Sequence, residues 1–228
     1  PYAFPHNGPM AAKQQVNAVQ ATWSYDLGFA QLSSSTLRRV RRTLSTFDQD
    51  ALDPAELARI RAELGVTAVI DPNGANVTRD TTKSWFQDLH LSGELGERAN
   101  WLFGAEYLKF RSKGDITQTR TPTATLSQGT VAPLRLDVRS ISAYGLLGYD
   151  LTETLNITGE ARYTTDKRSV DINRFDLRTG LSAGSRFAAV GSVSPANFNY
   201  TLSAGWKFDP AWLLYAKVGT AFRAASFN

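Results

Sequence analysis

The sequence predicts an all-β chain, an antiparallel transmembrane β-barrel region with long external loops. Three observations lead there. Apolar and polar residues alternate over strand-length stretches, as strands with one face toward lipid and one toward water require. Short turns alternate along the chain with long polar segments, at about 48–83, 113–133 and 176–196. Barrels with turns on one side of a membrane and loops on the other are built this way. Finally, Trp23, Tyr25, Trp101, Phe103, Tyr149, Trp206, Phe208 and Trp212 sit close to the short turns, where amphipathic rings settle at headgroup level.

The elements follow in order. Val19, Ala21, Trp23 and Tyr25 alternate with Gln20, Thr22, Ser24 and Asp26, and the chain turns at Asp26–Gly28 into a strand of weaker phase, Phe29–Arg42. Within segment 48–83, Asp53-Pro54-Ala55-Glu56 has the form of a helix start: an Asp cap, Pro at the first position and Glu three residues after the cap. Leu57, Ile60 and Leu64 share one face of that helix and Gly65 ends it, so a short helix is expected in an external loop. A second hairpin joins Ser84–Leu95, through Gly96–Ala99, to the alternating Trp101, Phe103, Ala105 and Tyr107. A third joins Leu134–Tyr149, through Asp150–Thr154, to Leu155, Ile157, Gly159, Ala161 and Tyr163. The fourth is the clearest. Phe198, Tyr200, Leu202, Ala204, Trp206 and Phe208 alternate without a break with polar or small residues, Asp209-Pro210 turns, and Trp212, Leu214, Ala216 and Val218 continue the pattern. These hairpins make about eight strands.

Composition narrows the function. The chain has no cysteine, which excludes a disulfide framework and a thiolate metal site. His6 and His90 lie too far apart to form a ligand pair. No apolar run reaches the ~18 residues of a spanning helix, which leaves the strand route across a membrane open. No Gly-x-Ser-x-Gly occurs and neither histidine has a Ser/Asp set nearby, so neither a catalytic residue nor a cofactor is expected. His90 is read as a hydrogen-bonding residue of the lumen side. The net charge of +4 owes much to Arg38, Arg39, Arg41 and Arg42 and gives no reason to expect nucleic acid as a partner. This cluster lies where its strand leaves the membrane on the outer side. There it forms either a solvated loop base or a contact for lipopolysaccharide phosphates, by charge-assisted hydrogen bonds. Pro1-Tyr2-Ala3-Phe4-Pro5 lacks the basic start and apolar core of a signal peptide, as in a chain processed or cut from something larger.

Tyr215 to Asn228 (YAKVGTAFRAASFN) resembles a barrel stretch of the TonB-dependent receptors, in which an aromatic-Ala strand runs into a Gly-Phe-Arg…Phe-Asn segment. Leu155–Arg168, with Gly159-Glu160-Ala161-Arg162-Tyr163-Thr164-Thr165-Asp166-Lys167, is similar to the family's strand ending Arg-Tyr-Thr-x-Asp-Lys. Gln87–Gly93 with Trp101–Tyr107 resembles another of its hairpins. The likeness covers most of residues 16–228 and is weakest before residue 84. Ala221, Ala224 and Ala225 stand where the family often has glycine, and neither a plug domain nor a TonB box is found. Since such barrels have about 22 strands, the resemblance implies an internal slice of a larger barrel.

That resemblance further implies the outer membrane of a Gram-negative bacterium, uptake of a scarce small nutrient such as an iron–siderophore complex, and TonB acting through a plug outside this chain. Lumen-facing Glu106, Glu160, Arg162 and Arg223 are then the ligand-binding candidates, weighed against plain lining of a wet lumen. The rival expectation is a complete eight-stranded outer-membrane barrel with a structural or adhesive role, its lumen filled by its own side chains.

Overall fold

The computed structural model describes residues 10–48, 54–65, 75–123, 126–176 and 189–222. Eight strands form one continuous antiparallel sheet: β1 (Ala11–Asp26), β2 (Gln31–Asp48), β3 (Ala75–Leu95), β4 (Ala99–Thr123), β5 (Leu126–Asp150), β6 (Leu155–Ile172), β9 (Ala196–Asp209) and β10 (Trp212–Gly219). Two short strands extend its margin, β7 (Phe175–Asp176) on β5 and β8 (Ala189–Val193) on β6. The helix α1 occupies Pro54–Leu64. Gly65 follows it at φ 62°, the left-handed conformation that ends helices. Leu64 is exposed, whereas the side chains of Leu57 and Ile60 lie outside the described residues.

The tight turns sit at one end, and each has a local device. Gly28 has φ 85° and donates its N–H to the Asp26 carboxylate at 2.7 Å. Gly96 has φ 64°. Thr152 Oγ1 accepts from the N–H groups of Thr154 and Leu155 at 3.2 and 3.0 Å. Asp209 accepts from the Ala211 N–H at 2.9 Å. Short polar side chains that capture the backbone two residues on are the standard way to hold such bends.

At the other end the strands run well past the expected loop boundaries. Of the segments 113–133 and 48–83, expected as loops, residues 113–123, 126–133 and 75–83 are instead strand: Lys113 lies opposite Arg135 and Thr123 opposite Leu126, and Ala75 opposite Thr119. Part of 176–196 is likewise strand, β8 and the start of β9. At about 3.3 Å per residue, the 25 residues of β4 and of β5 reach roughly 80 Å, far beyond the ~25 Å apolar band of an outer membrane. Beyond that band water bathes both faces, so nothing selects an apolar residue at every second position and the alternation disappears. The β-branched run Thr117, Thr119, Thr121, Thr123, Thr130 and Val131 still favours extended backbone.

Within the band the faces differ sharply. One carries exposed Trp23, Tyr25, Leu89, Phe103, Ile141, Leu147, Tyr163, Phe198, Tyr200, Leu202 and Trp206. The ring pairs Trp101–Phe103 (5.7 Å), Phe198–Tyr200 (6.5 Å) and Trp206–Phe208 (5.3 Å) lie on it. The opposite face buries polar side chains: Asn76, Thr82, Asp88, Ser142 and Asp166. A soluble sheet would hide the apolar face and wet the polar one; here the apolar face is the exposed one, which a lipid environment explains.

The sheet is open. Its order runs from β1 to β10 without pairing the two, so the closed eight-stranded barrel entertained from the sequence does not form among the described residues. Within lipid an unpaired strand edge is costly.

Candidate functional site

The polar face gathers charged and hydroxyl side chains from four neighbouring strands. Register makes this possible: Asp88 lies opposite Glu106 and His90 opposite Gly104. Glu106 in turn lies opposite Ser142, Gly104 opposite Tyr144, and Ser142 and Tyr144 opposite Thr164 and Arg162. Arg162 is the hub. Its Nη2 pairs with Glu106 Oε2 and donates to Ser142 Oγ at 2.9 Å, and its Nε donates to Thr164 Oγ1 at 3.3 Å. The guanidinium also lies 5.7 Å from the centre of the Tyr144 ring, a cation–π contact. The Tyr144 hydroxyl donates to Asp88 Oδ2 at 2.5 Å, and Asp88 Oδ1 meets His90 Nδ1 at 2.6 Å.

Gly104 makes room for this arrangement. A Cβ there would stand 2.4 Å from Tyr144 Cζ and 2.8 Å from His90 Cβ, so the tip of the tyrosine ring occupies the space that glycine leaves open. Next to the network is a cleft of about 450 Å³, lined by Leu102, Tyr144, Leu146, Glu160, Arg162 and Asn199, among others. Glu160 has no ion-pair partner among the described residues, and the buried Asn199 Oδ1 has no hydrogen-bond partner.

The sequence-derived candidates are distributed as follows. Glu106, Glu160 and Arg162 lie on the polar face, with Glu106 and Arg162 satisfying each other and Glu160 left open to the cleft. Arg223 lies outside the described residues. His90 lies on the same face and is hydrogen-bonded. Asp88, Ser142 and Tyr144 were missed. Asp88 and Ser142 stand at polar positions of expected strands, but nothing in one sequence says which polar positions converge. Tyr144 and Leu146 put apolar bulk on the polar face and blur the phase of their strand.

Alternation divides the arginine cluster. Arg39 and Arg41 share the polar face, where Arg41 Nη2 lies 3.6 Å from Asp80 Oδ2 and 3.3 Å from Thr82 Oγ1. Arg38 and Arg42 point the other way, beside Trp85 and Thr81. No group of three or more potential metal ligands occurs among the described residues.

Removing the Asp88 carboxylate strips both Tyr144 and His90 of a partner in a position only 8% exposed. Asp88→Ala is expected to lower stability by about 2 kcal/mol, the penalty for buried polar groups left unpaired. A urea midpoint unchanged from the parent protein would contradict this.

A family model described as TonB dependent receptor-like, beta-barrel, matches residues 2–228. No curated protein matches the chain. Among solved structures, the ferric yersiniabactin uptake receptor FyuA from Yersinia pestis superposes with a TM-score of 0.69 at 15% identity, over 91% of this chain. The chain spans 28% of that receptor's length.

Proposed function

This chain belongs to the TonB-dependent receptor β-barrel family, and on that premise we propose that it forms part of the barrel wall of a receptor importing a scarce nutrient, an iron–siderophore complex. Members of the family are outer-membrane transporters of Gram-negative bacteria, not enzymes. The observation that carries the reading is the sheet's two-faced character: an exposed apolar face behind a polar face with an organised hydrogen-bonded network. Such a wall separates lipid from a wet or plugged lumen. In this reading the Glu106–Arg162 pair braces β4 to β6, and Glu160, Asn199 and the cleft between them face what fills the lumen. TonB acts on a plug carried outside this chain. The FyuA likeness supports the barrel fold, and its named ligand is of the proposed class.

The test is uptake. Source cells starved of iron are compared with cells lacking the gene, using ferric siderophore recovered from their own spent medium and labelled with radioactive iron. Loss of energy-dependent uptake on deletion, restored by the intact gene, is expected. Uptake unaffected by deletion would contradict the proposal and favour a structural or adhesive barrel. A subtler outcome is expected for Arg162→Ala, which leaves Glu106 uncompensated in a half-buried position. Stability should fall by about 1–2 kcal/mol, less than the cost of breaking a fully buried pair, as read from the urea midpoint of the receptor in vesicles.

A further inference from the structure

On the polar face, one row of the register runs Gln14–Thr43–Asp80–Gly114–Leu134, one residue from each of β1 to β5. Gly114 has no side chain to fill its place in that row. A cleft of about 330 Å³ lies there, its wall completed by Arg41, Thr78 and Ile116. The backbone fixes the gap, because a Cβ on Gly114 would collide with the Arg79 carbonyl oxygen. Along β3 the stretch from Leu95 to Asp80 is roughly 50 Å at about 3.3 Å per residue. Even a strand tilted by ~45° therefore carries the cleft past the ~25 Å apolar band, to the end opposite the tight turns.

The acid of the cleft is already satisfied. Asp80 Oδ2 accepts from the Thr82 hydroxyl at 2.7 Å, and Oδ1 accepts from Ser112 Oγ. Arg41 is not satisfied. Its Nη2 stands 3.6 Å from Asp80 Oδ2, outside hydrogen-bond distance, and makes one long bond to Thr82 Oγ1 at 3.3 Å. Its Nε has no partner. The hydroxyls of Thr43 and Thr78 and the amide of Gln14 make no side-chain hydrogen bond among the described residues. Arg39, two residues along β2 on the same face, is exposed and has no ion-pair partner among them. The unused capacity of the cleft is thus mostly that of donors: a guanidinium, two hydroxyls and an amide. What it lacks is an acceptor, and with Asp80 offset by two arginines its charge favours an anion.

We propose that this cleft takes a carboxylate of the imported ligand, held by Arg41, with an apolar part of the ligand lying on Ile116 and Leu134. The planar guanidinium offers N–H donors in a fork that matches the two oxygens of a carboxylate. Thr43 and Thr78 supply hydroxyl donors from the two neighbouring strands. Ile116 and Leu134, both half-buried, stand on the far side of the cleft and give an apolar group a surface that water does not favour. The volume is that of a site for one part of a small molecule. The ligand class this selects is an acid with an apolar arm. Arg38 and Arg42, on the other face of β2, take no part.

The inference rests on the uptake reading, and its test keeps the two apart. Binding of the iron-labelled siderophore from the cells' own spent medium is measured on outer membranes carrying the full-length receptor, at matched amounts. Arg41→Gln is expected to weaken binding by about tenfold or more, the loss that a charge-assisted hydrogen bond carries. Arg41→Lys keeps the charge without the fork and should recover only part of it. The variant T43V/T78V keeps the shape and removes two donors, so binding should weaken by about threefold to tenfold. It leaves Arg41 and Asp80 untouched and carries the test if the arginine variants do not reach the membrane. Arg42→Gln, on the opposite face, should bind as the wild type does. Wild-type affinity in R41Q or in T43V/T78V overturns the cleft and leaves the receptor reading standing. An equal loss in R42Q also overturns it, since overall charge alone would then account for the effect. Absence of binding by the wild type overturns both.

Discussion

Replacing Phe103 by arginine is expected to lower stability in a bilayer by about 2–4 kcal/mol, the penalty for arginine facing lipid near the midplane of a barrel. Phe103 is 60% exposed on the apolar face. Its row continues through Leu91, Gly145, Ala161 and Tyr200, near the middle of the apolar band, where a charge cannot readily reach either interface. The companion change is Thr201→Arg. Thr201 neighbours Tyr200 but lies on the polar face, opposite Glu160. There arginine finds water and a carboxylate without an ion-pair partner among the described residues, so less than about 1 kcal/mol should be lost. Urea unfolding from phospholipid vesicles, followed by tryptophan fluorescence, reads both. Equal losses for the two variants would mean that the faces do not meet different solvents.

The second large effect is expected at Gly104. Valine there would drive its side chain into the Tyr144 ring and against the His90 Cβ, which belongs to the stiff base of its side chain and cannot swing away. A loss of about 2–3 kcal/mol is expected from overpacking, with the Tyr144–Asp88 hydrogen bond broken as the ring is displaced. Gly159→Val is the control, since a Cβ at Gly159 has nothing within 4 Å, and it should change little. A double-mutant cycle with Tyr144→Phe sharpens the point. If valine acts by expelling the ring, removing the hydroxyl costs much less in the valine background than in the parent. Additive losses would show that the ring stays on Asp88.

How far the sequence revealed this structure depended on the solvent each residue meets. The strand β9 was plain because every second side chain from Phe198 to Phe208 faces lipid and every other one faces the lumen, which imposes the alternation directly. The four tight turns were equally legible, since Asp26-Leu27-Gly28 and Asp209-Pro210 carry their own turn chemistry. The outer halves of β4 and β5 were not, because water on both faces removes the periodicity that marks a strand. The arginine cluster shows a further limit. Four cations within five positions suggest one patch, yet a strand sends successive side chains to opposite faces, and only pairing with β3 shows where each goes. The network was half visible: Glu106 and Arg162 fell at polar positions, but their meeting across β4, β5 and β6 depends on register, which no single strand encodes. Tyr144 was hidden because an aromatic residue on a lumen face looks like an error of phase until the glycine beneath it is seen.

The most direct test uses β9, in a chain with no cysteine of its own. Single cysteines placed in turn at positions 197 to 204 carry a nitroxide label in the bilayer-inserted receptor, and collisions with oxygen and with a water-soluble nickel chelate are measured at each. Labels replacing Phe198, Tyr200, Leu202 and Ala204 should collide mainly with oxygen, and those replacing Asn197, Asn199, Thr201 and Ser203 with the nickel chelate. Equal exposure to both reagents along the strand, or the opposite phase, would contradict a wall with lipid on one side and a lumen on the other.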